Sequence, residues 1–185
     1  MPAFYLTLIA VLLAGIGARD QVTIGALTRM QGTRPGVLIV ACLSALLTAA
    51  FAGWAASVML AELPPPARAI FAAIAMGMAG LESLILSPRR DPREPTQSLG
   101  ALLLVLSMHQ VTDAARFLIF GMGVGFAAPI PAALAGGVGG CVLVAAAWVW
   151  PDVLASRAAR LGRRIVGAIL TIVALGMFLS EIGLL

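Results

Sequence analysis

The sequence predicts an all-α, polytopic membrane protein in which six transmembrane helices form two inverted three-helix repeats. The first observation is composition: the chain is 61% hydrophobic and 11% charged, with a mean hydropathy of +1.05, whereas a soluble domain has about 25% charged residues. The second is a series of apolar segments near the roughly 20 residues that a spanning helix needs. The third is an alternating distribution of arginine between those segments. Together they predict one membrane domain over residues 1–185.

Six apolar segments are the predicted spans, and each is expected to be one helix. Their ranges are 3–28, 36–60, 69–86, 97–125, 131–150 and 165–184. The stretches between them, such as ELPPPAR and SPRRDPREPTQS, are rich in the proline, glycine and polar residues that end helices.

Arginine in the loops predicts the orientation of the spans. All 12 basic residues are arginine, and the second loop carries only Arg68. The first, third and fifth loops carry Arg29, Arg34, Arg89, Arg90, Arg93, Arg157, Arg160, Arg163 and Arg164. Basic loops stay cytoplasmic, so both termini are expected to be periplasmic. Arginine without lysine, with abundant alanine and glycine, points to a bacterium and therefore to its inner membrane.

An internal repeat is the next feature of the sequence. Residues 1–87 and 97–185 each contain three spans, and residues 88–96 form a predicted cytoplasmic linker. The first span of each half carries charged residues, in GARDQVTIGAL and HQVTDAARFLIFG. Because three spans is an odd number, the second half must enter the membrane from the opposite side, as in many transporters.

Polar residues inside these spans are the candidate functional residues. His109, Thr112, Asp113 and Arg116 are spaced to share one helical face, as are Asp20 and Thr23. Charged groups at a helix centre cost about 2.5–3.5 kcal/mol each on insertion scales, so we expect them to face inward and pair across the two halves. The candidates for transport or proton relay are Arg19, Gln21, Thr23, Glu82, His109, Gln110, Thr112 and Arg116.

The chemistry of these residues leaves two interpretations open. Carboxylates are hard oxygen ligands suited to Ca²⁺ or Mn²⁺, so Asp20 and Asp113 are the candidate metal ligands, with His109 and Glu82 relaying protons. Alternatively, Arg19 or Asp20 meets Asp113 or Arg116 in a buried ion-pair cluster that only fixes the register of the helices.

The motif GARDQVTIGALTR, followed by a proline and an apolar helix, resembles the signature helix of the Gdt-one family of six-helix manganese/calcium–proton antiporters. That family carries Glu-x-Gly-Asp-(Lys/Arg)-(Thr/Ser)-Gln once in each inverted repeat. Gly17, Arg19 and Gln21 match the first copy, whereas Gly15 and Ala18 stand at its acidic positions. Asp113 aligns with the aspartate of the second copy. The resemblance implies the six-helix fold and export of Mn²⁺ or Ca²⁺ in exchange for protons.

Three functions follow as expectations. The first is a secondary transporter of Mn²⁺ or Ca²⁺ coupled to protons. The second is an exporter of a small organic solute or anion, since arginine suits a carboxylate. The third is a membrane scaffold that transports nothing. No enzyme constellation, cofactor motif or nucleic-acid groove is evident, and the small-residue runs GMGVGF and GGVGG allow close helix contacts in the repeat interface or in a homodimer.

Overall fold

A computed structural model of the protein describes residues 2–86, 97–154 and 156–184, and every element in those ranges is helical. The helices are α1 (Pro2–Gly15), α2 (Arg19–Gln31), α3 (Pro35–Glu62), α4 (Pro65–Ile85), α5 (Leu99–Val111), α6 (Ala114–Gly125), α7 (Pro129–Val149), α8 (Pro151–Leu154) and α9 (Arg157–Glu181). The all-α prediction is confirmed for these residues. The predicted linker, with Arg89, Arg90 and Arg93, lies outside them.

The helix starts follow from local sequence. Proline fits the first turn of a helix, where its missing N–H is not needed. The helices that begin at proline start at Pro2, Pro35, Pro65, Pro129 and Pro151. The starts of α5, α6 and α9 are instead capped by side-chain oxygens of Ser98, Asp113 and Ser156, which accept hydrogen bonds from backbone N–H groups.

Four helices, α3, α4, α7 and α9, are long and apolar enough to cross a membrane. Two further pairs, α1 with α2 and α5 with α6, pass the same test when each pair is taken as one bent span, which brings the total to six. Large apolar side chains cover the outside of the bundle, for example Ile172 at 71% exposure and Met108 at 73%. Such a surface belongs in lipid, and the chain is a multi-pass membrane protein.

The prediction that spans one and four are continuous helices is wrong. The axis bends by 58° between α1 and α2 and by 56° between α5 and α6. The first break follows Gly15 and contains Gly17, whose φ of +72° suits glycine. The second falls at Thr112 and Asp113. The expected shared face of His109, Thr112, Asp113 and Arg116 does not exist, because the helix ends between its members.

The helices approach closely at small residues. α4 packs along both α6 and α9, and α3 packs along α7. A Cβ on Gly121 would lie 2.9 Å from Ala75 Cβ, and one on Gly140 would lie 3.1 Å from Ala45 Cβ. Both small-residue runs therefore pack inside the chain, and the homodimer stays a prediction without support from them.

Substitution of Gly80 with alanine is expected to destabilise the protein by about 1–3 kcal/mol through overpacking. A Cβ there would lie 2.8 Å from both the Gly167 carbonyl oxygen and the Thr171 nitrogen on α9, so the two helices would have to separate. The measurement is an SDS titration of the purified protein in mixed micelles. The matched control is Gly176→Ala on α9, where nothing lies within 4 Å; equal effects of the two variants would contradict the prediction.

Candidate functional site

The first helix break is closed by the side chain of Gln21, which is 2% exposed. Its Oε1 accepts a hydrogen bond from Gly17 N at 2.9 Å, and its Nε2 donates to the Gly15 carbonyl oxygen. One amide thus satisfies the Gly17 N–H at the interruption and adds a second hydrogen bond to the Gly15 carbonyl oxygen, which also accepts from Ala18 N at 3.1 Å. Gln21 holds the geometry of the break, which is a positioning role.

The second break is closed by Asp113, the residue that caps α6. Its Oδ2 accepts from Ala115 N at 3.4 Å, while Asp113 N donates to the Gln110 carbonyl oxygen at 3.1 Å. The side chain is buried at 3% residue exposure. Both breaks therefore place an aspartate at the N-terminal end of a half-helix, where the helix dipole favours negative charge, because Asp20 lies in the first turn of α2.

Hydrogen bonds join the two breaks directly. Gln110 Nε2 donates to Asp20 Oδ2 at 2.7 Å. Arg19 Nη2 donates to Thr112 Oγ1 at 2.8 Å and to the carbonyl oxygen of His109 at 3.1 Å. The prediction that spans one and four meet is confirmed by these contacts.

Gln110 links this junction to α3. Its Oε1 accepts from Ser44 Oγ at 2.8 Å and from Thr48 Oγ1 at 3.1 Å, and the residue is fully buried. The amide nitrogen of Gln110 therefore donates to Asp20, and its amide oxygen accepts from two hydroxyl groups. It is the residue through which α2, α3 and α5 share one polar cluster.

A buried ion-pair network lies beside the second break. Arg163 Nη2 on α9 donates to Asp113 Oδ1 at 3.1 Å and to Glu82 Oε2 on α4. The side chain of Arg163 is 2% exposed, and those of Glu82 and Asp113 are each 5% exposed. Glu82 Oε1 also faces Arg19 Nη2 at 3.9 Å. The carboxylates of Glu82 and Asp113 both contact Arg163 Nη2. We call Glu82, Asp113 and Arg163 the Arg163 network.

Arg163 is the residue that the sequence interpretation missed. The sequence groups it with the cytoplasmic loop arginines, but it lies in the second turn of α9 and is buried. The signal that could have found it is Glu82, a carboxylate in a predicted span that needs a cationic partner.

Arg116 is placed differently from the other buried arginines. Its Nε and Nη2 donate to Thr48 Oγ1 at 3.0 and 2.8 Å, and Nη2 also donates to the Ala45 carbonyl oxygen at 3.4 Å. Within the described residues, no carboxylate oxygen lies within 4.0 Å of its guanidinium group. Asp20 and Asp113 act on it only over longer distances.

The expected ion pairs between the two motifs are therefore not formed in the described structure. Neither Arg19 nor Asp20 pairs with Asp113 or Arg116; their partners are Glu82, Thr112 and Gln110 instead. The physical reason is the pair of breaks, which turns these side chains away from the faces that a continuous helix would give them. The formal charge of the region is still balanced, because it contains three carboxylates and three arginines. These are Asp20, Glu82, Asp113, Arg19, Arg116 and Arg163.

Two predicted candidates stand apart from the network. Thr23 Oγ1 donates to the Arg19 carbonyl oxygen of its own helix at 2.9 Å, which is a common bond for threonine inside a helix. The imidazole of His109 has its Nδ1 buried without a hydrogen-bond partner in the described ranges. No contact in those ranges gives either side chain a part in a proton path.

The predicted metal ligands Asp20 and Asp113 engage different partners, Gln110 and Arg163. Across residues 2–86, 97–154 and 156–184, no group of three or more His, Cys, Asp or Glu side chains is arranged to hold a metal ion. The carboxylates that share a cation are Glu82 and Asp113, and that cation is the guanidinium of Arg163.

Replacement of Gln110 with leucine is expected to cost about 1–3 kcal/mol of stability or more, because it leaves the buried Asp20 carboxylate without its amide donor. The measurement is chemical unfolding in mixed micelles, with Gln97→Leu, an exposed position just before α5, as the control. A Gln110→Leu variant as stable as the control variant would show that this junction does not hold the breaks together.

Comparison of the chain with protein families, curated proteins and solved structures gives no match. The resemblance to the Gdt-one family thus stays a prediction that rests on the motif residues.

Proposed function

We propose that the chain is a secondary transporter whose coupling centre is the Arg163 network together with the two helix breaks. The observation that carries the proposal is that two apolar spans are each interrupted at a charged motif and that their breaks are bonded to each other in the interior. Broken spans with charged residues at the break are a recurring feature of transporters, and ionisable groups inside a membrane are expensive, so those that are present usually pair with one another and mark a functional site.

The inverted repeat is part of the same proposal. Each half contributes one broken span and two unbroken ones, in the same order along the chain. A two-fold relation would map α1 onto α5, α2 onto α6 and α3 onto α7. The α1–α7 contact then corresponds to the α3–α5 contact, and the α2–α7 contact corresponds to the α3–α6 contact; all four contacts are present. The contacts of α4 with α6, α6 with α7 and α1 with α9 break this pattern, because the corresponding pairs α2–α9, α2–α3 and α4–α5 are not among the main contacts in the described ranges.

The proposed orientation has both termini in the periplasm of a bacterial inner membrane. Arg29 at the end of α2 and Asp152 in α8 form an exposed ion pair at 3.4 Å. The first and fifth loops thus lie at the same end of the bundle, as the loop arginines require. Basic residues favour the cytoplasmic side, which would be this end.

For a divalent cation, the geometry supports a competition mechanism. Glu82 and Asp113 already hold a cation, the guanidinium of Arg163. Mn²⁺ or Ca²⁺ would bind these carboxylates only when Arg163 moves away, since a 2+ ion beside a guanidinium is repelled. Protonation of either carboxylate would weaken its hold on both cations, which links proton binding to cargo release.

An organic anion is the second candidate cargo, and a specific observation favours it. Arg163 Nε and Nη1 and Arg19 Nε are buried without hydrogen-bond partners in the described part of the chain. Buried donors of this kind are costly when left unpaired. The N-terminal ends of α2 and α6, which also favour anions, lie at the same junction.

The experiment is reconstitution of the purified protein into liposomes with a pH-sensitive dye inside. Added Mn²⁺ or Ca²⁺ should move protons across the membrane in the wild type and not in protein-free liposomes, and Glu82→Gln should abolish the response. Proton movement with small carboxylates alone would support the second candidate. No cargo-dependent flux with either class would contradict the transporter proposal and leave the network a structural element.

A further inference from the structure

A groove of about 510 Å³ runs along the outside of the bundle between α3, α4 and α6. Its walls are apolar and carry five aromatic side chains. These are Phe51, Trp54, Phe71, Phe117 and Phe120. A volume of this size lies within the range of pockets that bury a small organic ligand.

The groove opens towards the bilayer. Phe51 and Trp54 on α3 are 53% and 61% exposed, and Ile74 and Met78 on the opposite wall are 46% and 45% exposed. The rings of Phe51 and Trp54 lie 5.7 Å apart at its edge. A ligand would therefore enter from the lipid.

One charged residue, Arg116, contributes to the wall of this groove. It is 5% exposed, and its hydrogen bonds come from Nε and Nη2 to neutral oxygens. In the described part of the chain Nη1 has no hydrogen-bond partner, and no carboxylate neutralises the guanidinium at contact distance. A cation in this position attracts an anion because the surroundings screen charge poorly, and Asp20 and Asp113 offset its charge only from beyond contact distance. A second cavity of about 240 Å³, between α4, α6 and α9, has no charged residue in its wall.

We propose that this groove binds an organic carboxylate with an apolar tail, its carboxylate paired with Arg116 and its tail between the aromatic side chains. An acyl chain of a membrane lipid would fill the apolar part of the groove but would leave the guanidinium without a counter-ion, because a lipid head group stays at the membrane surface. The charge of Arg116 therefore selects the free anion. The proposal does not rest on transport, since binding alone is claimed.

The test uses decanoate and decanol, which share a tail and differ in charge, with the full chain in nanodiscs at pH 8.5. Binding is followed by the fluorescence of Trp54 in a Trp148→Phe/Trp150→Phe background and corrected with protein-free nanodiscs. Decanoate should bind at least about tenfold more tightly than decanol, a difference of about 1.4 kcal/mol. Arg116→Met should reduce the affinity for decanoate to the affinity measured for decanol.

A second variant keeps the test decisive if Arg116→Met does not fold. Ala55→Phe fills the groove from α3 and should weaken both ligands. Equal binding of decanoate and decanol by the unsubstituted groove would overturn the proposal and indicate a plain lipid chain site. Unchanged decanoate affinity in either variant would overturn it as well. Because no flux is measured, these outcomes are independent of the transporter proposal.

Discussion

Replacing Arg163 with methionine is expected to lower the free energy of unfolding by about 3–5 kcal/mol, because it leaves two buried carboxylates without their shared cation. Glu82 and Asp113 both contact Arg163 Nη2, and all three side chains are at most 5% exposed. Methionine keeps much of the length of arginine and its fit among apolar neighbours, so the loss reports the charge. An SDS titration in mixed micelles measures it.

The matched control is Arg157→Met, which removes an exposed arginine from the first turn of the same helix. This variant should change stability by less than about 0.5 kcal/mol. If both variants lowered the free energy of unfolding by the same small amount, Arg163 would be solvated, as a loop arginine is. The Arg163 network would then not exist.

Substitution of Asp113 with asparagine is expected to impair transport strongly while preserving the fold. Asparagine caps a helix about as well as aspartate, so the start of α6 survives, and Arg163 keeps its contact with Glu82. The stability loss should stay within about 1–3 kcal/mol. Cargo-dependent proton flux should fall at least about tenfold, a change of about 1.4 kcal/mol, because the coupling pair has lost one of its two carboxylates.

The control for this variant is Asp152→Asn, since the side chain of Asp152 is 87% exposed and pairs only at the surface. Its flux should match the wild type. An Asp113→Asn protein that transports at the wild-type rate would remove Asp113 from the coupling centre, whereas one that fails to fold would favour a purely structural network.

The helical class and the positions of the spans follow from sequence because they depend on local properties. Hydropathy fixes which residues can face lipid, and proline marks where α3, α4 and α7 begin. The observed bounds differ from the predicted ones by a few residues at most ends. The start of α9 differs more, at Arg157 instead of residue 165, because the arginines of its first two turns lower the local hydropathy and resemble a loop.

The breaks and the pairing of charges do not follow from local sequence. The motif GARDQ reads as an ordinary stretch of helix with an arginine and an aspartate in it. The break is stabilised by the hydrogen bonds of Gln21 to Gly15 and Gly17 from the next turn. Similarly, the partner of Asp113 is 50 residues further along the chain, and the packing of α9 against α4 and α1 brings Arg163 to it.

The residue types of the site were nevertheless predictable. Asp20, Glu82, Gln110, Asp113 and Arg116 are all buried polar residues, as intramembrane positions require. What the sequence could not assign is which carboxylate meets which cation, because that depends on the three-dimensional arrangement of four different helices.

The most direct test of the central claim is a double-mutant cycle between Glu82→Gln and Arg163→Met, measured as the free energy of unfolding in mixed micelles. Residues in direct buried contact couple by about 0.5–3 kcal/mol. We expect a coupling of at least about 1.5 kcal/mol, because Arg163→Met leaves the buried Glu82 carboxylate without its cation and the double variant no longer carries that charge. Additivity within about 0.5 kcal/mol would contradict a buried Glu82–Arg163 pair and, with it, the coupling centre.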